Sequence, residues 1–103
     1  MINFYIPATS SMTINNLTGE EGVRRILCYS SDSSTSNLLY NGNVIGTFNN
    51  NNDINIDFEI YYGFPRLSDL AIEVPPNVSI AVIVDAVPYS DTTDDYIETR
   101  SVS

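Results

Sequence analysis

Asp57 and Glu59 are two carboxylates on one face of a predicted strand, in the stretch INIDFEIY from residue 54 to residue 61. General acid–base catalysis would need one of them to be shielded from water and to hold its proton near neutral pH. Tyr61 is the only residue on that face that carries apolar surface. We therefore interpret the pair as the solvated side of a strand and not as a catalytic pair.

Oxygen-rich side chains are concentrated in two stretches, NNNNDIN from residue 49 and SDTTDD from residue 90. Calcium prefers oxygen ligands, but neither stretch has the alternating ligands, central glycine and distal glutamate of an EF-hand loop. The absence of histidine and the single cysteine exclude a transition-metal site. The sequence predicts no metal and no cofactor. It leaves open whether the Asn-rich loop or Asp91, Asp94 and Asp95 bind sugar or calcium.

Nucleophilic catalysis lacks its partners in this sequence. Cys28, in RILCYS, has no histidine anywhere in the chain to act as its base, and the same absence excludes a Ser-His-Asp triad. The chain also has no glycine-rich phosphate loop. We therefore predict that the protein is not an enzyme. Cys28 is interpreted as a buried structural thiol, because free cysteines are among the most buried residues.

The charge balance is strongly acidic. The sequence has 13 carboxylates and only 4 basic residues, all of them arginine, for a formal net charge of −9. Such a chain repels phosphate backbones and anionic lipid, so we expect no nucleic-acid partner and no membrane partner. The N-terminus MINFYIPATSS has no basic region, and its apolar run stops at Pro7. We expect synthesis in the cytoplasm without a signal peptide.

Strand signals recur along the chain, with turn-forming residues between them. The clearest alternation places Ile54, Ile56, Phe58 and Ile60 on one face, toward a core. The strand candidates are residues 2–6, 12–17, 23–30, 38–40, 43–48, 54–61, 67–74 and 78–87. They predict an all-β fold, a single antiparallel β-sandwich of about eight short strands, jelly-roll or immunoglobulin-like.

Local irregularities are predicted within and between these strands. Asn41-Gly42 indicates a type I′ hairpin turn, which needs positive φ at both central residues. Gly46 marks a bulge in the returning strand. The strand from residue 23 to residue 30 has two mixed faces, which a bulge or a two-sided environment would explain. The run from Asn49 to Asn52 is interpreted as a connection between two strands.

The last predicted strand, Val78 to Val87, is apolar on both faces. This pattern indicates a central strand, or a strand whose outer face meets another chain. We place the sandwich domain at residues 1–88. Residues 89–103 are predicted to be a polar C-terminal tail that is mobile alone and becomes ordered on a partner. The candidate partner contacts in the strand and the tail are Ile83, Val87, Tyr89, Tyr96 and Ile97.

The hairpin LLYNGNVIGTF and the small acidic sandwich rich in Asn, Ser and Thr resemble the decoration or cement proteins of tailed-phage capsids and related phage structural proteins. The resemblance covers roughly residues 10–87. It implies a structural protein that stabilises the shell as a homo-oligomer, with a trimer favoured, where capsomers meet. It also implies a location in the virion, with the major capsid protein or another virion protein as partner.

A glycan-binding module, from a phage tail or lectin-like, is the alternative function. Its contacts would be Asn49, Asn51 and Asp53 in the Asn-rich loop, together with Tyr61 and Tyr62. Exposed tyrosine serves sugar stacking as well as protein interfaces. The absence of tryptophan, the residue most useful for stacking on sugar rings, counts against this alternative.

Overall fold

Nine strands form the fold in the computed structural model, which describes residues 1–58, 63–87 and 97–103. In chain order they are β1 (Ile2–Ile6), β2 (Thr13–Asn16), β3 (Gly22–Ser30), β4 (Ser36–Tyr40), β5 (Asn43–Phe48), β6 (Ile54–Asp57), β7 (Leu70–Val74), β8 (Ile80–Val87) and β9 (Glu98–Arg100). Nothing helical in these ranges has the length and apolar character of a membrane span. The prediction of an all-β fold is confirmed.

The strands form two sheets. The five-stranded sheet has the order β6-β3-β8-β1-β9, and the four-stranded sheet has the order β2-β7-β4-β5. β1 pairs with β8, β2 with β7, β3 with β6 and β4 with β5, all of them antiparallel. This nested pairing arises when one long antiparallel hairpin is rolled up. The first eight strands therefore have jelly-roll topology and not the immunoglobulin arrangement.

The core lies between the two sheets, because inward and outward residues alternate along each strand. In β1, for example, Ile2, Phe4 and Ile6 are buried, while Tyr5 is exposed. Each buried side chain of this size contributes about 1.5–3 kcal/mol before entropy is counted. β8 pairs with β1 on one side and with β3 on the other, which confirms the interpretation of a central strand.

Two predicted strands have different ends in the structure. The strand predicted for residues 54–61 is described only as far as Asp57, and the core position expected for Ile60 lies outside the described residues. The strand predicted from Leu67 begins three residues later, because Leu67–Asp69 is a 3-10 turn. There the Asp69 carboxylate accepts a hydrogen bond from the Arg66 backbone N–H, at 3.0 Å. Such local side-chain bonds compete with strand pairing.

The predicted turn and the bulge at Gly46 are confirmed, and of the two explanations offered for β3 the structure shows the bulge. Asn41 and Gly42 have φ of 49° and 84°, as a type I′ turn requires. The β4–β5 register shifts next to Gly46, where an added Cβ would lie 2.8 Å from Ile54 Cδ1. In β3 the register shifts between Val23 and Arg25. The extra residue there explains the mixed faces of β3 in the sequence.

The prediction of a polar tail is wrong for the last part of the chain. β9 pairs in parallel with β1, so the sandwich continues beyond residue 88. Asn16 and Ser103 exchange two backbone hydrogen bonds of 2.9 Å, and Val102 packs against the core. Residues 97–103 thus cross from the five-stranded sheet to the edge of the four-stranded sheet. Residues 88–96 lie outside the described residues.

Candidate protein-contact surface

The outer face of the five-stranded sheet carries a continuous apolar surface. It forms because β1, β3 and β8 are adjacent and turn every second side chain away from the core. We call its five apolar residues the outer patch: Tyr5, Leu27, Tyr29, Ala81 and Ile83. Tyr5 is 60% exposed and Tyr29 is 37% exposed. Neighbouring apolar residues exposed in this way mark interaction sites more often than scattered ones do.

The centre of the outer patch is low, with a tyrosine on each side. Ala81 is in register with Tyr5 of β1 and with Tyr29 of β3. Its side chain is a single methyl group, and residue 81 is exposed. In the next row Ile83 lies between Asn3 and Leu27, and all three residues are half-buried. The patch therefore offers two aromatic rings around a shallow apolar depression.

A row of charged and amide groups borders the outer patch. An Arg24 guanidinium nitrogen lies 3.2 Å from an Asp85 carboxylate oxygen, and Arg25 Nε donates to Asn55 Oδ1 at 3.0 Å. Asp57 is in register with Arg25 across the β3–β6 pair. The β3 bulge brings Arg24 and Arg25 to the same side of the sheet. These contacts give the patch a polar rim, as protein interfaces commonly have.

The structure brings two of the predicted partner contacts, Ile83 and Val87, to this face. Ile83 belongs to the outer patch, and Val87 follows it on the outer side of β8. Ile97 directly precedes β9 and is 63% exposed. Tyr89 and Tyr96 lie outside the described residues. Whether any of the five touches a partner stays a prediction.

Sequence reasoning missed the two exposed tyrosines of the outer patch. The alternation in INFYI already places Tyr5 opposite the buried Ile2, Phe4 and Ile6. Tyr29 alternates in the same way with the buried Cys28. The signal for two outward tyrosines was thus present. Their convergence on Ala81 depends on long-range pairing, which the local pattern does not contain.

The Asn-rich loop is held by its own hydrogen bonds. Asn49 and Asn52 exchange two backbone hydrogen bonds of 3.1 Å, and Asn49 Oδ1 accepts the Asn51 N–H at 2.8 Å. The Asn50 N–H donates to the Asp32 carbonyl at 2.9 Å. This turn carries the chain from β5 in one sheet to β6 in the other. The interpretation of the run as a connection between strands is confirmed.

The predicted glycan contacts are only partly visible. Asn51 and Asp53 are exposed, whereas the Asn49 side-chain oxygen is already used within the turn. Tyr61 and Tyr62 lie outside the described residues. Within the described ranges no group of three or more His, Cys, Asp or Glu side chains is arranged to hold a metal ion. Asp91, Asp94 and Asp95 lie outside those ranges, so their calcium alternative stays open.

An ionic cluster around Arg100 holds the C-terminal strand β9. Arg100 is paired with Glu21 and Glu98, and it also donates to the Thr18 carbonyl at 3.3 Å. The Arg100–Glu21 contact is bidentate, with Nη1 2.8 Å from Oε1 and Nη2 bonded to Oε2. The hydrogen bonds from Arg100 lower the pKa of Glu21 to about 2. The hydrogen bonds that Arg100 donates to Glu21 and Glu98 raise the pKa of Arg100.

Cys28 is fully buried in the core. Burial raises the pKa of its thiol, because the charged thiolate is disfavoured away from water. A thiol in this state is a poor nucleophile. The interpretation of Cys28 as a buried structural thiol is confirmed.

No protein-family model, curated protein or solved structure matches this chain. Its function is therefore inferred from its own residues.

Proposed function

We propose that the protein is a non-enzymatic structural protein of a virus particle, a capsid decoration or cement protein that stabilises the shell through protein–protein contacts. The observation that carries the proposal is the outer patch. Its tyrosines and aliphatic side chains form an exposed apolar surface on a rigid sheet. Interfaces are enriched in tyrosine and depleted of charge at their centres, which is the composition of this surface.

The fold is compatible with this role without selecting it. Jelly rolls occur in viral capsid domains and in lectins, and a fold alone does not define a function. The outer patch favours protein contact, because its apolar residues span three adjacent strands and are bordered by charged and amide groups. Burying it against a partner would remove at least two large aromatic surfaces from water. In this proposal, the function of the small sandwich is to bind the shell through protein–protein contacts.

In the proposed role the protein acts as a homo-oligomer located in the virion. Its partner on the shell is the major capsid protein or another virion protein. Weak contacts suffice there, because many linked copies bind together and effective concentration multiplies their affinity. The acidic remainder of the surface keeps the free protein soluble before assembly.

Quantification of the chain in purified particles tests the proposal. Particles from the source would be banded in a density gradient, and the ratio of this chain to the major shell protein measured by mass spectrometry. We expect a fixed stoichiometric ratio. Absence from the particles, or a trace amount that falls with further purification, would overturn the proposal.

A matched pair of variants then tests the surface. Tyr5→Ser with Tyr29→Ser removes both rings of the outer patch, and Ile14→Ser with Val44→Ser removes apolar surface from the four-stranded sheet. Ile14 is 56% exposed and Val44 is 54% exposed, so both changes are made on the outside. We expect only the first variant to be lost from particles. Equal retention of both folded variants would contradict a role for the patch.

Glycan binding is a second candidate, favoured only by the exposure of Asn51 and Asp53 at one end of the sandwich. Asn51→Ala with Asp53→Ala would leave the backbone hydrogen bonds of the turn intact. Retention of the wild-type monomer on a polysaccharide matrix, lost in this variant, would support the candidate. Passage of the wild type without delay would count against it.

A further inference from the structure

We infer that the outer patch binds the outer patch of a second copy of this chain, so that two five-stranded sheets pack face to face. The inference rests on the proposed function, in which the protein acts as a homo-oligomer, and it assigns the outer patch to the contact between copies. Its support comes from the distribution of charge and from the geometry of the sheet face.

Among the described residues, positive and negative charges balance on the outer face, in a chain that is acidic overall. The charged residues of this face within the described ranges are two arginines and two aspartates: Arg24, Arg25, Asp57 and Asp85. The formal net charge of −9 therefore comes from residues other than these four. Exposed charges further apart than about 8 Å are largely screened at physiological salt. Two copies thus repel each other least when these charge-balanced faces meet.

The geometry of the patch suits a two-fold contact. Ala81 is the low position, with Tyr5 and Tyr29 beside it. A tyrosine ring of one copy can occupy the depression at Ala81 of the other, and the two-fold axis repeats that contact. Such aromatic packing adds to the gain from buried area alone. The residues of the outer patch are therefore sufficient to form this contact.

The size of the face limits the strength of the contact. Five strands about 4.8 Å apart and about 17 Å long present a flat face of roughly 400 Å². Two such faces cover roughly 800 Å² in projection, below the 1,200–2,000 Å² that is typical of stable complexes. We therefore expect a weak dimer that forms with rising concentration.

The opposite face of the sandwich is less suited to self-association. Ile14 and Val44, two of the exposed apolar residues, lie on the two edge strands of the four-stranded sheet, β2 and β5. Glu73, in register with Ile14, adds a negative charge on that face. A closed trimer would need two different complementary surfaces on each copy. The described residues offer one apolar face of this kind.

Sedimentation velocity over a concentration series tests the inference. We expect the wild type to shift from monomer to dimer between about 10 µM and about 1 mM, as a weak contact predicts. Ala81→Asp would place carboxylates at the centre of both faces and weaken the dimer at least about tenfold. Ile14→Asp, an outward change on the other sheet, should leave the dimer unchanged. Circular dichroism would verify that each variant folds, and Tyr5→Ser replaces Ala81→Asp if that variant does not.

A charge variant distinguishes this specific contact from nonspecific association. Arg25→Glu makes each outer face negative, so the dimer should weaken, and added sodium chloride should partly restore it. A wild type that stays monomeric, a trimer, or equal weakening by Ile14→Asp would overturn the inference. If the protein is monomeric yet stoichiometric in particles, the inference fails and the proposed function stands. If the protein dimerises but is absent from particles, the proposed function fails and the inference stands.

Discussion

The two edges of the five-stranded sheet are held by different forces. At the β6 edge Ile54 and Phe58 are buried in the core, so hydrophobic packing holds that edge. At the β9 edge the contacts are backbone pairing with β1 and the bonds of Arg100 to Glu21 and Glu98. Packing depends little on pH, whereas ion pairs depend on protonation and salt. The same sheet therefore combines a pH-insensitive edge with a pH-sensitive one.

The largest effect is expected at the β6 edge, from Phe58→Ala. Phe58 is fully buried, and truncation of a buried phenylalanine costs about 3–5 kcal/mol of unfolding free energy. Urea unfolding at neutral pH would measure the loss. Phe64→Ala is the matched control, because Phe64 is 48% exposed and its loss should stay within about 1 kcal/mol. If Phe58→Ala and Phe64→Ala lost equal unfolding free energy, core packing of Phe58 would not be what stabilises the β6 edge.

A smaller effect is expected at the β9 edge, from Arg100→Gln. Hydrogen bonds to charged groups contribute about 1.5–3 kcal/mol, and the Arg100 side chain is only 21% exposed. The control is Arg66→Gln, since the Arg66–Glu20 pair is exposed at 65% and 77% and such pairs contribute about 0–1 kcal/mol. Chemical denaturation of both variants, of Glu21→Gln and of the double variant Arg100→Gln/Glu21→Gln would be compared. Additive losses for Arg100→Gln and Glu21→Gln would contradict their direct coupling.

The pH dependence of stability should differ between the two edges. The folded pKa of Glu21, about 2, lies below the ordinary glutamate value of 4.5. Its stabilisation is therefore present above about pH 4.5 and is lost as the pH falls toward 2. The difference in unfolding free energy between wild type and Arg100→Gln should shrink over that range, while the difference for Phe58→Ala stays constant. If the differences for Arg100→Gln and Phe58→Ala changed equally with pH, the two edges would not differ in pH sensitivity.

The smallest effect is expected from Ser36→Ala. This variant tests whether the buried Ser36 hydroxyl, which lacks a hydrogen-bond partner among the described residues, lowers the stability of the fold. Ser36 is fully buried, and its hydroxyl has no hydrogen-bond partner in the part of the chain that the structure describes. Its removal should raise the unfolding free energy by about 1 kcal/mol, because an unsatisfied buried hydroxyl is costly. Ser34→Ala is the control, since Ser34 donates to Asp32 at 2.9 Å. A loss of stability in Ser36→Ala would indicate an undetected partner.

The β6 edge was largely predictable from the sequence, because its information is local. Ile54, Ile56 and Phe58 alternate with polar residues, and the first eight strands all coincide with predicted ones apart from their ends. The Asn41-Gly42 turn and the buried Cys28 were predictable for the same reason. Each depends on residue type and on neighbours within a few positions.

The β9 edge was not predictable, because its information is distant. Glu98-Thr99-Arg100 has no apolar residue, and Arg100 finds Glu21 across 79 positions of the chain. The choice of jelly roll over immunoglobulin topology likewise depends on which strands pair, and alternation within a strand does not specify its neighbour. The outer patch combines both cases, since outward tyrosines follow from alternation but their meeting at Ala81 does not.

The bulge in β3 has a consequence for how this strand tolerates changes in length. Val23, Ile26 and Cys28 are its buried residues, and the register shift lies between Val23 and Arg25. Loss of Arg24 would restore strict alternation and leave the same three residues inside, whereas loss of a residue beyond Ile26 would exchange the inner and outer faces. A single-residue deletion is thus compatible with the fold at the bulge, where loss of Arg24 or of Arg25 gives the same sequence.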